Sequence, residues 1–171
     1  KKLVKFSFSF DGILPSAVQV FNAQKYSSEE TALPEAILEQ VKKEEHHDNI
    51  YVIDRGLQST RVMKNFDQKA VKFIIRSKEN RKFIETASFL DPQNTQKWED
   101  WEVIKDSKVK LYTGKPIQNK RGKIHYREEL VEKEFRLVVI KNEKQNKEMW
   151  FLTNEFELSA REVSDYYRKR W

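Results

Sequence analysis

One aspartate stands directly after a run of four apolar residues. Residues 50–53 read Ile-Tyr-Val-Ile and are followed by Asp54, Arg55 and Gly56. Such a run indicates a strand buried on both faces, and an unpaired carboxylate inside it would cost several kcal/mol. At the end of the strand the carboxylate can instead project into a cleft and bind a divalent cation. Asp54 is therefore a candidate metal ligand, although from position alone it could equally cap the following helix or pair with Arg55.

A second group of side chains that could do chemistry is basic. Four cations lie at or just beyond the end of the next apolar strand: Arg76, Lys78, Arg81 and Lys82. They could follow the phosphates of a nucleic-acid backbone, but such a charge run is also typical of a solvated loop. Near the end of the chain, Tyr167 and Arg170 lie three residues apart, so a helix would place them on one face.

Composition excludes several classes of protein. The chain has 171 residues, of which 38% are hydrophobic, enough for the core of one domain or of one domain with a large insertion. It has no cysteine, so a disulfide scaffold and a thiolate zinc site are excluded. No apolar run approaches the roughly 18 residues that a membrane helix needs, so a cytoplasmic protein is the default expectation. The net charge of +6 permits a polyanionic partner without requiring one.

Turn signals and the spacing of apolar residues predict the elements that position these side chains. The predicted strands cover residues 1–10, 13–21, 50–53, 71–76 and 149–153. The predicted helices begin at Ser27, Ser59 and Ser159. Asp11-Gly12 predicts the hairpin turn between the first two strands. Residues 83–147 are polar, with short β-like runs separated by predicted turns at 113–116 and 121–122, which favours a mostly antiparallel β insertion.

These elements divide the chain into three segments. Residues 1–82 would form the first part of a core, residues 83–147 the β insertion, and residues 148–171 the last core strand and the start of a helix. Two antiparallel strands followed by alternating helices and strands resemble the ribonuclease-H-like fold with its first strand missing. The predicted fold class is therefore α/β with a mixed sheet: a ribonuclease-H-like core that carries a mostly antiparallel β insertion.

Three stretches of the sequence resemble the insertion-sequence-four family of DDE transposases, relatives of retroviral integrases. Residues 51–56 (Tyr-Val-Ile-Asp-Arg-Gly) are similar to the family's segment around its second catalytic aspartate. Residues 73–78 are similar to the following strand and its basic end. Residues 150–154 are followed by Tyr167 and Arg170, which match the start of the family signature Tyr, two residues, Arg, three residues, Glu. In this order, the stretches cover nearly the whole chain.

The resemblance implies a bacterial, cytoplasmic DNA transposase that works as a homodimer on double-stranded DNA. Three carboxylates, of which Asp54 is the middle one, would hold two Mg²⁺ or Mn²⁺ ions. The ions would support hydrolysis of a DNA strand and its transfer into target DNA. Tyr167 and Arg170 would contact the backbone phosphate near the cleaved end, since a guanidinium binds phosphate bidentately. The alternative is a tyrosine packed on the core and an arginine in solvent.

The resemblance also implies further DNA contacts. Trp150, or its neighbour Met149, would lie near a flipped base, although a tryptophan in a strand is more often part of the core. Arg55 and Arg168 stand beside the motif residues and are further candidate DNA contacts.

Two of the three carboxylates are expected outside the 171 residues. The family's first aspartate would precede Lys1, and the signature's glutamate would lie four positions after Arg170, beyond Trp171. Asp11 is no substitute, because it stands in a predicted hairpin turn. We therefore expect this chain to be a piece of a catalytic core that is inactive by itself. The alternative interpretations are a non-catalytic ribonuclease-H-like DNA-binding remnant and a metal-dependent nuclease.

Overall fold

The computed structural model describes residues 4–11, 14–22, 29–43, 48–91, 96–119 and 121–169. The helices are α1 (Glu29–Val41), α2 (Thr60–Gln68) and α3 (Ala160–Arg168), with a short 3-10 helix at Arg55–Leu57. The strands are β1 (Val4–Asp11), β2 (Leu14–Asn22), β3 (Ile50–Ile53), β4 (Lys72–Ser77), β5 (Phe83–Ser88), β6 (Lys97–Trp98), β7 (Trp101–Gln118), β8 (Ile124–Asn142) and β9 (Lys147–Thr153). None of the described helices is long and apolar enough to cross a membrane.

The described strands form two sheets. The strands β1 and β2 pair as an antiparallel hairpin, as the sequence predicts. The other seven strands form one sheet in the order β3-β4-β9-β8-β7-β5, with β6 paired to β7. Among the described pairs of this sheet, β3 and β4 run parallel and the remainder run antiparallel. The predicted α/β class with a mixed sheet is confirmed, and the arrangement is compatible with a ribonuclease-H-like fold.

Helices cover both faces of the large sheet, so its central strands β4, β9 and β8 contribute side chains to two cores. One face, the α1–α2 face, packs against Ile37 of α1 and Phe66 of α2. The opposite face, the α3 face, packs against Val163 of α3. Alternation along β4 places Phe73 on the α1–α2 face and Ile74 on the α3 face. Because successive side chains of a strand point to opposite faces, the position of a residue along its strand decides which helices its side chain can contact.

The segment predicted as an insertion extends the same sheet. Strands β5 to β8 lie between residues 83 and 147, and β8 pairs with β9, which pairs with β4. The division into 1–82, 83–147 and 148–171 remains a prediction about domain organisation.

One predicted turn is wrong. Thr113-Gly114-Lys115-Pro116 lies inside β7, which continues to Gln118 and pairs with β8 along this whole stretch. The proline is tolerated because the described part of β5 pairs with β7 only as far as Leu111, so beyond that point β7 has a free edge. The turn predicted at Arg121-Gly122 is present, and Gly122 has the positive φ of 76° that glycine adopts without strain.

Candidate active site

Asp54 stands where the sequence predicts, directly after β3. Its backbone is extended (φ −81°, ψ 176°) and it caps the 3-10 helix that follows. The carboxylate atom Oδ1 accepts a hydrogen bond of 2.7 Å from the backbone N–H of Arg55. The side chain is half-buried. A helix cap and a metal ligand are compatible roles, because a carboxylate has lone pairs for several partners.

Tyr167 of α3 contacts this carboxylate. Its hydroxyl donates a hydrogen bond of 3.0 Å to Asp54 Oδ1. The ring is only 2% exposed and packs against Phe151, with 5.2 Å between ring centroids. The tyrosine is thus held by the core along its ring and reaches Asp54 with its polar end.

The start of α3 explains why Tyr167 faces the sheet. Ser159 and Glu162 form a capping box, in which each side chain bonds the other's backbone N–H and so fixes the first turn. Three buried residues at helical spacing then face the sheet: Ala160, Val163 and Tyr167.

Arg76 lies beside Asp54 at the carboxyl end of the neighbouring strand. Ile53 and Ile75 are register partners in the parallel pair β3–β4. Asp54 and Arg76 are the next residues of the two strands and therefore lie side by side. The Arg76 guanidinium carbon lies 5.9 Å from the centroid of the Tyr167 ring. Its Nε is buried and has no hydrogen-bond partner among the residues that the structure describes. Asp54, Arg76 and Tyr167 therefore form one group on the α3 face.

Two of the remaining predicted residues lie on the surface near this group. Arg55 is exposed, with its guanidinium 3.7 Å from the Glu79 carboxylate. Lys78 is exposed, and its backbone N–H donates to Gln58 Oε1 at 3.0 Å.

The other two cations of the basic run have intramolecular partners. Arg81 is half-buried and donates to the Gln58 carbonyl and the Thr60 hydroxyl. Burial lowers the pKa of Arg81 to about 10. The Lys82 ammonium lies 3.0 and 3.1 Å from the two carboxylate oxygens of Glu128. Arg81 thus ties the segment after Asp54 to the start of β5.

Trp150 lies on the opposite face of the sheet from Tyr167. Its ring meets Phe83 edge-on, with centroids 6.2 Å apart, and it packs against the core under α1 and α2. Its indole N–H donates to Glu148 at 2.9 Å. Met149, the alternative in the sequence, packs on the α3 face instead.

Arg168 fastens the end of α3 to the turn between β6 and β7. Its guanidinium lies 3.2 Å from Glu99 and 3.6 Å from Asp165, and 5.4 Å from the Trp101 ring centroid. Arg170, the remaining predicted residue, lies outside the described residues.

A buried ion pair that the sequence did not single out supports the segment before α3. Arg136 of β8 binds Asp106 of β7 through two hydrogen bonds of 2.8 Å, and both residues are buried. The same guanidinium donates to the carbonyls of Phe156 and Leu158. The sequence does contain an indication of this ion pair, because Arg136 interrupts an otherwise apolar run at residues 135–140.

Among the described residues, no group of three or more His, Asp or Glu side chains is placed to hold a metal ion. Asp54 by itself can offer the hard oxygen ligands that Mg²⁺ prefers.

A family model for the transposase DDE domain matches residues 8–171, almost the entire chain. No match is found among the curated proteins. The match includes Asp54 after β3, Arg76 at the end of β4 and Tyr167 in α3. The chain belongs to the transposase DDE-domain family.

Proposed function

We propose that this chain is part of the catalytic core of an insertion-sequence-four DNA transposase with a ribonuclease-H-like fold. The proposed reaction is Mg²⁺-dependent hydrolysis at transposon ends followed by strand transfer into target DNA. One observation carries the proposal: the 3.0 Å hydrogen bond between Tyr167 and Asp54, which joins two motifs 113 residues apart in the sequence. Two separate resemblances to the same family thus meet in one contact.

In our proposal the described residues of this site have different roles. Asp54 would supply one of the ligands of the metal ions, which when bound activate the attacking oxygen and stabilise the leaving one. Tyr167 orients the Asp54 carboxylate through its hydroxyl. Arg76 offers a cation beside that carboxylate, and a guanidinium can bind a phosphate through two hydrogen bonds.

The surface cations would hold DNA around this group. Arg55 and Lys78 are exposed next to Asp54 and Arg76, and Arg170 would continue the line from α3. Lys82 and Arg168 could exchange their carboxylate partners for phosphates. Arg81 and Trp150 act differently in our proposal: their contacts support the loop and the core beneath the DNA.

The decisive experiment changes Asp54 in the intact transposase, with homodimeric protein bound to paired transposon ends. Asp54→Asn keeps the shape of the side chain but removes its charge, so we expect Mg²⁺-dependent cleavage to fall to background while DNA binding is kept. Asp48→Asn is the matched control, because Asp48 is exposed and precedes the same strand at its other end. Near-normal cleavage by Asp54→Asn would show that Asp54 is not a metal ligand.

The 171 residues by themselves should not cleave or join DNA. The resemblance places the other two carboxylates before Lys1 and after Trp171, and the described residues hold no cluster of three ligands. The purified chain is incubated with transposon-end DNA and Mg²⁺ or Mn²⁺. Cleavage with strand transfer would refute this expectation, and cleavage without strand transfer would favour the metal-dependent nuclease. If the residues at the two outer positions of the intact protein are not acidic, the non-catalytic remnant is favoured.

A further inference from the structure

The strands β7 and β8 continue beyond the sheet as a two-stranded arm, of which the structure describes residues 113–119 and 121–127. The described part of β5 pairs with β7 only as far as Leu111, and β9 begins to pair with β8 at Arg136. From Gly114 onwards every described residue of the arm is exposed. Six residues of extended chain in β7, Thr113 to Gln118, reach about 20 Å. An isolated two-stranded ribbon is only marginally stable in water, so the arm contributes little to the core and is available for contact with a partner.

The arm is strongly cationic. Residues 113–127 include no Asp or Glu, although the whole chain has 27 of them. Its basic residues are Lys115, Lys120, Arg121, Lys123 and Arg127. A surface with one sign of charge attracts a polyanion.

Two of these cations are placed directly opposite each other. Lys115 and Arg127 are register partners on adjacent strands, and like charges at such positions destabilise a sheet. Lys115 lies 3.5 Å from Glu129 on the same face. Arg127 makes no ion pair with any described residue. An anion bound between the two would remove the repulsion.

The base of the arm is fixed to the segment that follows Asp54. The Thr60 hydroxyl donates to the Tyr112 carbonyl at 2.8 Å, and Arg81 donates to the same hydroxyl. On the other strand, Glu128 binds Lys82. The arm is therefore anchored to the start of α2, the helix that follows the Asp54 segment, and its length is similar to the diameter of a DNA duplex.

We propose that this arm binds the sugar–phosphate backbone of duplex DNA beside the strand that is cleaved, with Lys115 and Arg127 contacting phosphates. The inference rests on the proposed function for the identity of the polyanion. It predicts an interaction with little dependence on base sequence, because phosphates carry no sequence information.

The test measures binding of a fluorescent DNA duplex to the 171-residue chain by anisotropy, over a series of salt concentrations. The variant Lys115→Ala/Arg127→Ala should bind about tenfold more weakly. The slope of log K against log salt should become shallower by about 1.8, since each lost phosphate contact removes about 0.9. The control Lys144→Ala/Lys147→Ala removes two exposed cations at the β8–β9 turn, far along β8 from the arm, and should leave both values unchanged.

The alternatives give different results. An arm variant with the affinity and salt slope of the parent chain would overturn the proposal, and so would a parent chain that does not bind DNA. If the arm variant altered the sedimentation of the chain but not its DNA binding, the arm would be a contact between copies and the proposal would be wrong. Circular dichroism of both variants verifies that the fold is kept. Failure of the Asp54→Asn test would refute the proposed catalytic role without changing these binding curves.

Discussion

Two aspartates of this chain show opposite ways of placing a carboxylate in a sheet. Asp106 lies within β7, is 6% exposed, and is held by two hydrogen bonds from the Arg136 guanidinium. Asp54 lies just beyond β3, is half-buried, and accepts from the Tyr167 hydroxyl and the Arg55 backbone. Asp106 is thus buried together with its counter-charge, whereas Asp54 lies at the end of a strand where solvent and ligands can reach it.

The difference teaches which carboxylate can take part in chemistry. Asp106 uses both oxygens on one guanidinium, so a metal ion would have to displace a buried charge. Asp54 is at a strand end, where a ligand can approach without opening the core. Burial and position, rather than residue type, separate the structural carboxylate from the candidate ligand.

The largest effect is expected from breaking the buried ion pair between Asp106 and Arg136. Asp106→Ala leaves Arg136 buried and uncompensated, so we expect the free energy of unfolding to fall by about 3–5 kcal/mol. Asp54→Ala removes a helix cap and the acceptor of the Tyr167 hydroxyl at a half-buried position, and should cost about 2–3 kcal/mol. Urea denaturation of the two variants, followed by tryptophan fluorescence, measures both values. Equal losses would remove the distinction between the two aspartates.

A double substitution sharpens the same comparison. In Asp106→Leu/Arg136→Met both charges are absent, so the loss of stability should be smaller than for Asp106→Ala. The carbonyls of Phe156 and Leu158 would still lose their donor, so stability should not return fully to that of the parent. The same denaturation experiment provides the test, and a larger loss in the double variant would contradict it.

A smaller effect is expected at the other aspartate, in the intact transposase. Tyr167→Phe removes the hydroxyl that donates to Asp54 but keeps the ring against Phe151. A hydrogen bond to a charged group is worth about 1.5–3 kcal/mol, so cleavage should slow by at least about tenfold. Tyr166→Phe is the matched control, because Tyr166 is its exposed neighbour in α3. Equal rates for the two variants would mean that Tyr167 does not orient Asp54.

The smallest effect concerns the helix that brings Tyr167 to Asp54. Hydrogen bonds from the Ser159 backbone N–H and hydroxyl lower the pKa of Glu162 below its ordinary value of 4.5. Since the folded pKa is the lower one, the cap adds stability above pH 4.5 and loses it as the pH falls through the folded pKa. The protection of the amides in the first turn of α3 against hydrogen exchange, relative to the intrinsic exchange rate at each pH, should therefore decrease in acid. In Glu162→Gln this protection should depend less on pH in the same range.

Local patterns in the sequence predicted several elements well. The strand at residues 50–53 matches β3, and the helix begun at Ser159 matches α3 with its capping box. These predictions succeed because apolar runs and caps act over a few neighbouring residues. The turn at 113–116 fails because Gly and Pro are also accepted in a strand with a free edge. The contacts of the half-buried Arg81 could not be predicted, because its partners belong to a segment distant in sequence.

By itself, the sequence determined where Asp54 stands on its strand, where α3 begins, and that the arm is cationic. Only the tertiary structure decided that Asp54, Arg76 and Tyr167 share the α3 face while Trp150 lies on the other. The physical reason is that alternation fixes the relative sides of neighbours within one strand. Which strands become neighbours, and which helix covers each face, depends on pairing and packing between distant segments.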